Sequence, residues 1–341
     1  MKAVVVHGAG DLRVDELPDP TPQAGEVLIA MEWGGVCGSD VAYWRNGASG
    51  TAVLKHPLVL GHEMAGRIAG AGPGVTGFDI GQPVTVHPAT PVGGDVLPER
   101  LAGRTNLYPQ ISYCGSAAFD PHTDGGFCEL KVVRADQIRT LPDAVGTDRG
   151  ALAEPLAVAM HAVNRAGDLR GRDVLVNGAG PIGSLVVAAA KLAGAATVAA
   201  ADVADAPLAI ARSMGADVLV NLRSGDELPT DVELVFEASG APAALGAVLQ
   251  ATARGGTIVQ VGNLPGHPTP ANLGGLVTRE ITWVGSYRFI DEITDAIVAM
   301  SNGLDVNPLI THRYSIDEAA DAIAVAADRD SGSSKVLLRL G

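Results

Sequence analysis

The stretch DVLVNGAGPIG at residues 173–183 decides the fold. Asp173 to Asn177 is a short apolar run that reads as a strand, and Pro181 to Ala193 reads as a helix whose proline sits in the first turn, where a missing N–H costs nothing. Between them Gly178, Ala179, Gly180, Pro181, Ile182 and Gly183 form a G-x-G-x-x-G. The first glycine allows the tight turn, the second lets the backbone approach a pyrophosphate, and the third lets helix and strand pack closely. The free N–H groups and positive dipole end of the helix then face the phosphates. A chain with 43 glycines offers chance matches, so it is the strand before and the helix after that give this one meaning.

Working outward, Thr197 to Ala201 is the next strand and Asp202 ends it, at the distance where a carboxylate reads ribose hydroxyls in such units. The same carboxylate repels a 2′-phosphate, and residues 203–207 contain no Arg or Lys, so NAD is expected over NADP. The plainer reading of Asp202 is a strand-end aspartate capping the helix after it. A helix over Pro207–Met214 and strands at Val218–Val220, Leu234–Ala238, Thr257–Val261 and Ile281–Gly285 continue the alternation. That rhythm predicts an α/β region, a doubly wound parallel sheet with helices on both faces.

The first 150 residues read differently. Lys2–Val6, Glu26–Trp33, Met64–Gly70, Pro83–His87 and Glu129–Val133 carry a strand signal with few helical stretches between them. After residue 290 a helical pattern at Asp291–Met300, a second helix near Ile316–Ala327 and a closing strand Val336–Leu340 break the α/β rhythm. We therefore expect a β-rich domain over 1–150, a dinucleotide-binding domain over 151–289 and a return to the first domain over 290–341.

Composition bounds the partners. A length of 341 residues accommodates two domains, and 47% hydrophobic against 18% charged residues describes a globular chain. A formal charge of −14 disfavours nucleic acid and anionic lipid, both of which need clustered Lys and Arg. Leu185–Ala201 is the most apolar tract, but Lys191, Gly194 and its many alanines argue against a membrane span. Residues 1–9 lack the plan of a secretory signal, so a cytoplasmic location is expected. Cys37, Cys114 and Cys128 include no C-x-x-C pair and do not suggest a disulfide framework.

Cys37-Gly38-Ser39-Asp40 and Gly61-His62-Glu63 bring a thiolate and an imidazole of the kind zinc favours. Singly, each residue has a bland reading as a small buried hydrophobe or a surface pair. Residues 61–75, GHEMAGRIAGAGPGV, fit the zinc signature of the medium-chain alcohol dehydrogenases, and with the C-G-S-D block, the glycine motif and the domain order the chain is identified as a member of that family. Within it the chain resembles the sorbitol (polyol) dehydrogenases, and L-idonate 5-dehydrogenases in particular, through VCGSDVAYW (36–44), LVLGHEMAG (58–66), GSAAFDPHTDGGF (115–127), AEPLAVAMHA (153–162) and GSYRF (285–289).

The resemblance implies a GroES-like catalytic domain, a Rossmann domain, and a cleft in which zinc faces the nicotinamide. It implies Cys37, His62 and Glu63 as zinc ligands, with Glu154 at or beside the fourth position, either ligating the metal or holding its water. Asp40 would orient His62 and Ser39 would hydrogen-bond the substrate hydroxyl. Zinc as Lewis acid favours loss of the hydroxyl proton, and hydride passes to NAD. One catalytic zinc per chain is expected and no structural zinc, because 92–106, where relatives carry four cysteines, has none. Relatives often carry a histidine where this chain has Ala42, so the proton route would end in water or Tyr43. Tyr43 and Phe119 would wall the substrate, His122 would favour a sugar acid, and Arg288 would contact a carboxylate or hydroxyls. A surface Arg288 paired with Asp291 or Glu292 is the plainer alternative. The expected substrate is a sugar acid such as L-idonate oxidised at C5, or a polyol such as sorbitol. A dimer or tetramer is expected, the family favouring the tetramer, with Ile281–Gly285 as a sheet edge. A zinc-free quinone-type reductase and a non-catalytic nucleotide-binding protein are the competing readings.

Overall fold

In Glu26–Gly35 the side chains of Val27, Ile29 and Met31 alternate inward with period two. The computed structural model describes residues 1–341 and divides them into two units. The first comprises 1–154, 293–303 and 310–341, and the second 155–292 with 304–309. The chain thus crosses at 154/155 and again at 292/293, a few residues later than the expected 150 and 289, and 304–309 also groups with the second unit.

The elements of the early chain are β1 (Lys2–Gly8), β2 (Glu26–Gly35), α1 (Gly38–Asn46), β3 (Glu63–Ala71), β4 (Pro83–Val86), β5 (Leu130–Arg134), β6 (Ile138–Thr140) and α2 (Ala153–Ala166). β2 is the hub. It pairs antiparallel with β3, placing Gly35 opposite Glu63, and with β5 along its first half. Its interior face joins Leu60, Met64, Val84 and Phe127 in one apolar cluster, all of them fully buried.

The second unit runs as β7 (Asp173–Asn177), α3 (Pro181–Leu192), β8 (Thr197–Asp202), α4 (Asp205–Ser213), β9 (Val218–Asn221), β10 (Val232–Glu237), α5 (Leu245–Ala251), β11 (Thr252–Gln260) and β12 (Thr282–Gly285). These six strands are all parallel, in the order β9-β8-β7-β10-β11-β12. In chain terms this is 3-2-1-4-5-6, the doubly wound arrangement whose strand order reverses between β7 and β10. Leu175, Val176, Val235 and Phe236 are fully buried, as strands covered on both faces require. β12 is an edge.

The last elements are α6 (Glu292–Ser301), β13 (Ile310–Ser315), α7 (Ala319–Ala327) and β14 (Lys335–Arg339). β13 and β14 are parallel, joined through α7, and β14 pairs with β2, so the C-terminal segment completes the sheet of the first unit. No helix is long and apolar enough to cross a membrane.

Candidate functional site

Cys37 caps α1 in an extended conformation, and the reciprocal partner is Asp40, whose Oδ2 accepts the Cys37 amide at 2.9 Å. The Cys37 side chain therefore sits at the N-terminal end of α1. The other oxygen of Asp40 accepts the Gly61 amide at 3.2 Å. One fully buried carboxylate thus pins both ligand-bearing segments through their backbones. Its hydrogen bonds go to these amides, and it acts on the His62 imidazole through charge rather than through a direct hydrogen bond.

The ligand atoms of Cys37, His62 and Glu63 all lie within 4.8 Å of one another. His62 and Glu63 are buried, and β3 begins at Glu63. Burial resists charging His62, but the hydrogen-bonded Cys37 and the nearby Glu154 and Asp40 outweigh it and hold the imidazole well above its usual range. A sulfur, nitrogen and oxygen donor set of this kind fits a zinc ion. The other thiols offer no comparable donor: Cys114 is raised by burial and Cys128 is pushed by burial up to about 11. All three cysteines are free.

Glu154 lies in the first turn of α2, outside the three-residue cluster. Its Oε1 accepts the Tyr113 hydroxyl at 2.5 Å, and the Tyr113 ring stands edge-on to His62 with centroids 5.5 Å apart. Burial holds the Glu154 carboxyl above the usual carboxylate range. Behind the ligands stands a residue that motif reasoning missed, Lys335 at the start of β14. Its Nζ donates to both oxygens of Glu63 at 2.7 Å and to the Val36 carbonyl at 3.1 Å. Nothing local in the sequence marks it: β14 reads as an ordinary apolar strand.

Other expected site residues are placed differently. Tyr43 is 2% exposed within the apolar core, and its hydroxyl accepts the Ala117 amide at 2.9 Å, so it packs the core of the first unit. His122 is committed to the backbone: Nδ1 donates to the Phe119 carbonyl at 2.8 Å while Nε2 accepts the amides of Lys55 and His56 at 2.9 and 3.2 Å. Both ring nitrogens are used, which leaves none for a substrate. Phe119 and Ser39 are half-buried, Ser39 two residues beyond Cys37 in the first turn of α1.

In the second unit Gly178 adopts a φ of +94° and opens the glycine turn, with Gly180 capping α3 and Pro181, Ile182 and Gly183 in its first turn. Asp202 ends β8, where its Oδ2 accepts the Ala179 amide of that turn at 2.8 Å and its Oδ1 the Val203 and Ala204 amides at 2.7 and 3.1 Å. It is at once the strand-end cap and a carboxylate at the glycine turn. Arg288 is half-buried with a left-handed φ of +51°, uncommon for a residue with a side chain, and its guanidinium lies 4.9 Å from the Tyr287 ring centre. The carboxylate of Glu292 is committed elsewhere, to His161 Nδ1 at 2.8 Å, Asn164 at 3.1 Å and the Ile290 amide at 2.7 Å.

Residues 23–143 match the alcohol dehydrogenase GroES-like domain and residues 181–302 the zinc-binding dehydrogenase family. The sorbitol dehydrogenase of Gallus gallus is 38% identical over 333 residues, covering 94% of this chain and 91% of that protein. The chain belongs to the zinc-binding alcohol dehydrogenase family. Among solved structures, the L-idonate 5-dehydrogenase of Escherichia coli K-12 superposes with a TM-score of 0.92 at 34% identity, covering 99% of this chain and 98% of that one. A protein from Sinorhizobium meliloti 1021 solved bound to NADP superposes with a TM-score of 0.89 at 30% identity, with coverage of 99% and 98%. The dehydrogenase described here thus shares its whole length, not one domain alone, with relatives whose names place them on polyols and sugar acids.

Proposed function

We propose that this dehydrogenase oxidises a secondary hydroxyl of a polyhydroxylated substrate, a sugar acid such as L-idonate first and a neutral polyol such as sorbitol second, passing hydride to NAD. The observation that carries the reading is the Cys37, His62 and Glu63 donor set within 4.8 Å, in a chain similar throughout to sorbitol and L-idonate dehydrogenases. Zinc held by those three residues supplies the Lewis acidity that makes a substrate hydroxyl acidic near neutral pH.

The chain's own groups do the rest. Ser39, in the first turn of α1 after Cys37, would hydrogen-bond the substrate hydroxyl. With Ala42 inert and Tyr43 tied to Ala117, the proton acceptor best supported is Glu154: burial raises its affinity for a proton and Tyr113 holds it in place. Arg288 offers a planar fork to a carboxylate or a pair of hydroxyls. Asp202 supports NAD over NADP through charge repulsion. The edge strand β12 supports self-association across a two-fold axis, and a cytoplasmic location belongs to the same reading.

The test is catalytic efficiency on L-idonate, D-gluconate, sorbitol, xylitol and a simple primary alcohol, for the wild type and Arg288→Ala, beside zinc analysis. Preference for the simple alcohol, or unchanged use of every polyhydroxylated substrate by Arg288→Ala, would refute the substrate assignment. Full activity of a zinc-free protein would refute the metal assignment.

A further inference from the structure

A carboxylate with no exposed surface stands where the strand order of the second unit reverses. Glu237 ends β10, 0% exposed, beside the end of β7. Its Oε1 accepts from Asn177 Nδ2 at 3.2 Å, from the Ser239 amide at 3.0 Å and from the Ser239 hydroxyl. Its Oε2 accepts from Gln260 Nε2 at 2.6 Å and from the Gly240 amide at 3.2 Å. The ends of three adjacent strands, β7, β10 and β11, meet on this one side chain. Every partner is a neutral donor, so both oxygens of this buried side chain act as acceptors and neither is left unmatched.

Two of these partners adjoin the dinucleotide turn. Asn177 is succeeded by Gly178, the first glycine of that turn, and a Cβ on Gly178 would lie 2.5 Å from the Ser239 nitrogen. The glycine turn and the Ser239–Gly240 backbone therefore touch, and Glu237 holds both sides of that contact. We propose that Glu237 is a positioning residue for the dinucleotide: it fixes the backbone across the switch point and so sets the affinity for NADH, having no surface of its own to offer the ligand. The inference rests on the dinucleotide reading given above.

The chemistry of the site makes the proposal specific. In Glu237→Gln the new NH2 meets a donor whichever way it points, Asn177 and Ser239 on one side or Gln260 and Gly240 on the other. Turning the Gln260 amide around gives relief at Glu237, because its Oε1 has no partner of its own, but it sets that oxygen against the Gly262 carbonyl now bonded at 2.8 Å.

The experiment is fluorescence titration of the zinc-loaded full chain with NADH, at a temperature where circular dichroism shows each variant folded. Glu237→Gln is expected to raise the Kd by about tenfold or more, and Gln260→Met, which removes one donor, by about threefold. Zinc content should stay at the wild-type value in both. Val248→Ala is the control for stability alone, since Val248 is a buried core residue of α5; it should lower the melting temperature and leave the Kd within about twofold. Kd values within about twofold for both Glu237→Gln and Gln260→Met overturn the proposal, as does equal weakening by Val248→Ala. Should Glu237→Gln not fold, Gln260→Met against Val248→Ala decides. A wild type that binds neither NADH nor NADPH overturns the dinucleotide reading itself, a result distinct from normal binding by the variants.

Discussion

Lys335 and Glu63 form a buried ion pair, 3% and 1% exposed at their side chains, with both carboxylate oxygens 2.7 Å from the ammonium. A candidate metal ligand is thus already shared with a fixed cation. Burial disfavours charge on Lys335, but Glu63 chiefly, with Cys37 and Glu154, raises its proton affinity above the usual value. Removing one member of such a pair strands the other. Lys335→Met is therefore expected to destabilise the metal-free protein by about 3–5 kcal/mol. Zinc supplies a replacement charge, so the loss should shrink in the zinc-loaded protein. Thermal unfolding with and without zinc checks this, and equal losses in the two forms contradict it.

Gly35 stands opposite Glu63 in the β2–β3 pairing, and a Cβ there would lie 2.2 Å from Glu63 Oε2. Gly35→Ala must push the carboxylate out of its place between Lys335 and the ligand cluster. Stability is expected to fall by about 1–3 kcal/mol, with weaker zinc retention under a competing chelator. Wild-type retention of zinc would show that Glu63 does not contribute to the metal site as placed.

The His161–Glu292 pair gives the second unit an acid-sensitive contact. Burial resists the charge of Glu292, yet the His161 and Ile290 hydrogen bonds outweigh it and hold the carboxyl down at about 2, from an ordinary 4.5. A carboxyl depressed on folding contributes stability that is present above its unfolded value and lost as pH falls through its folded value. The contribution should therefore fade between about pH 4.5 and about pH 2. Denaturant unfolding across that range should show a flatter pH dependence in Glu292→Gln than in the wild type. Parallel curves would remove Glu292 from the explanation.

Asp202 caps the strand end and holds the glycine turn, and on the proposed reading it also selects NAD, so its substitution should report both. Loss of the carboxylate removes repulsion of a 2′-phosphate and also frees the Ala179 amide. In Asp202→Ala the efficiency with NAD should fall while the gap between NAD and NADP narrows. Equal or better use of NADP by the wild type would show that the ribose pocket is read wrongly.

The strands of the second unit are legible in the sequence because their signals are local, alternation of strand and helix and a glycine turn, and the grouping of Cys37, His62 and Glu63 follows from the two short motifs that carry the family resemblance. Lys335 is not, because it meets Glu63 across 272 residues of chain and occupies the first position of an apolar strand. Tyr113 is hidden likewise, since only the fold brings its hydroxyl to Glu154. For Asp40, Tyr43 and His122 the residue type was informative and its partner was not. A side chain with hydrogen-bonding capacity is as readily spent on a backbone amide as on a ligand or substrate, and spacing does not distinguish them. The helix α2 and strand β13 are also not anticipated from the sequence.

Because β14 lies against Trp33–Gly35 and brings Lys335 to Glu63, the first unit cannot be finished by its own first 154 residues. A ribosome must deliver the whole intervening unit before the last strand arrives, and domains tend to fold as they emerge. Until then Glu63 has neither its ammonium partner nor the strand that closes the sheet beside it. A chain that stops short of residue 335 keeps all three candidate ligands in its sequence and lacks the ammonium that partners buried Glu63.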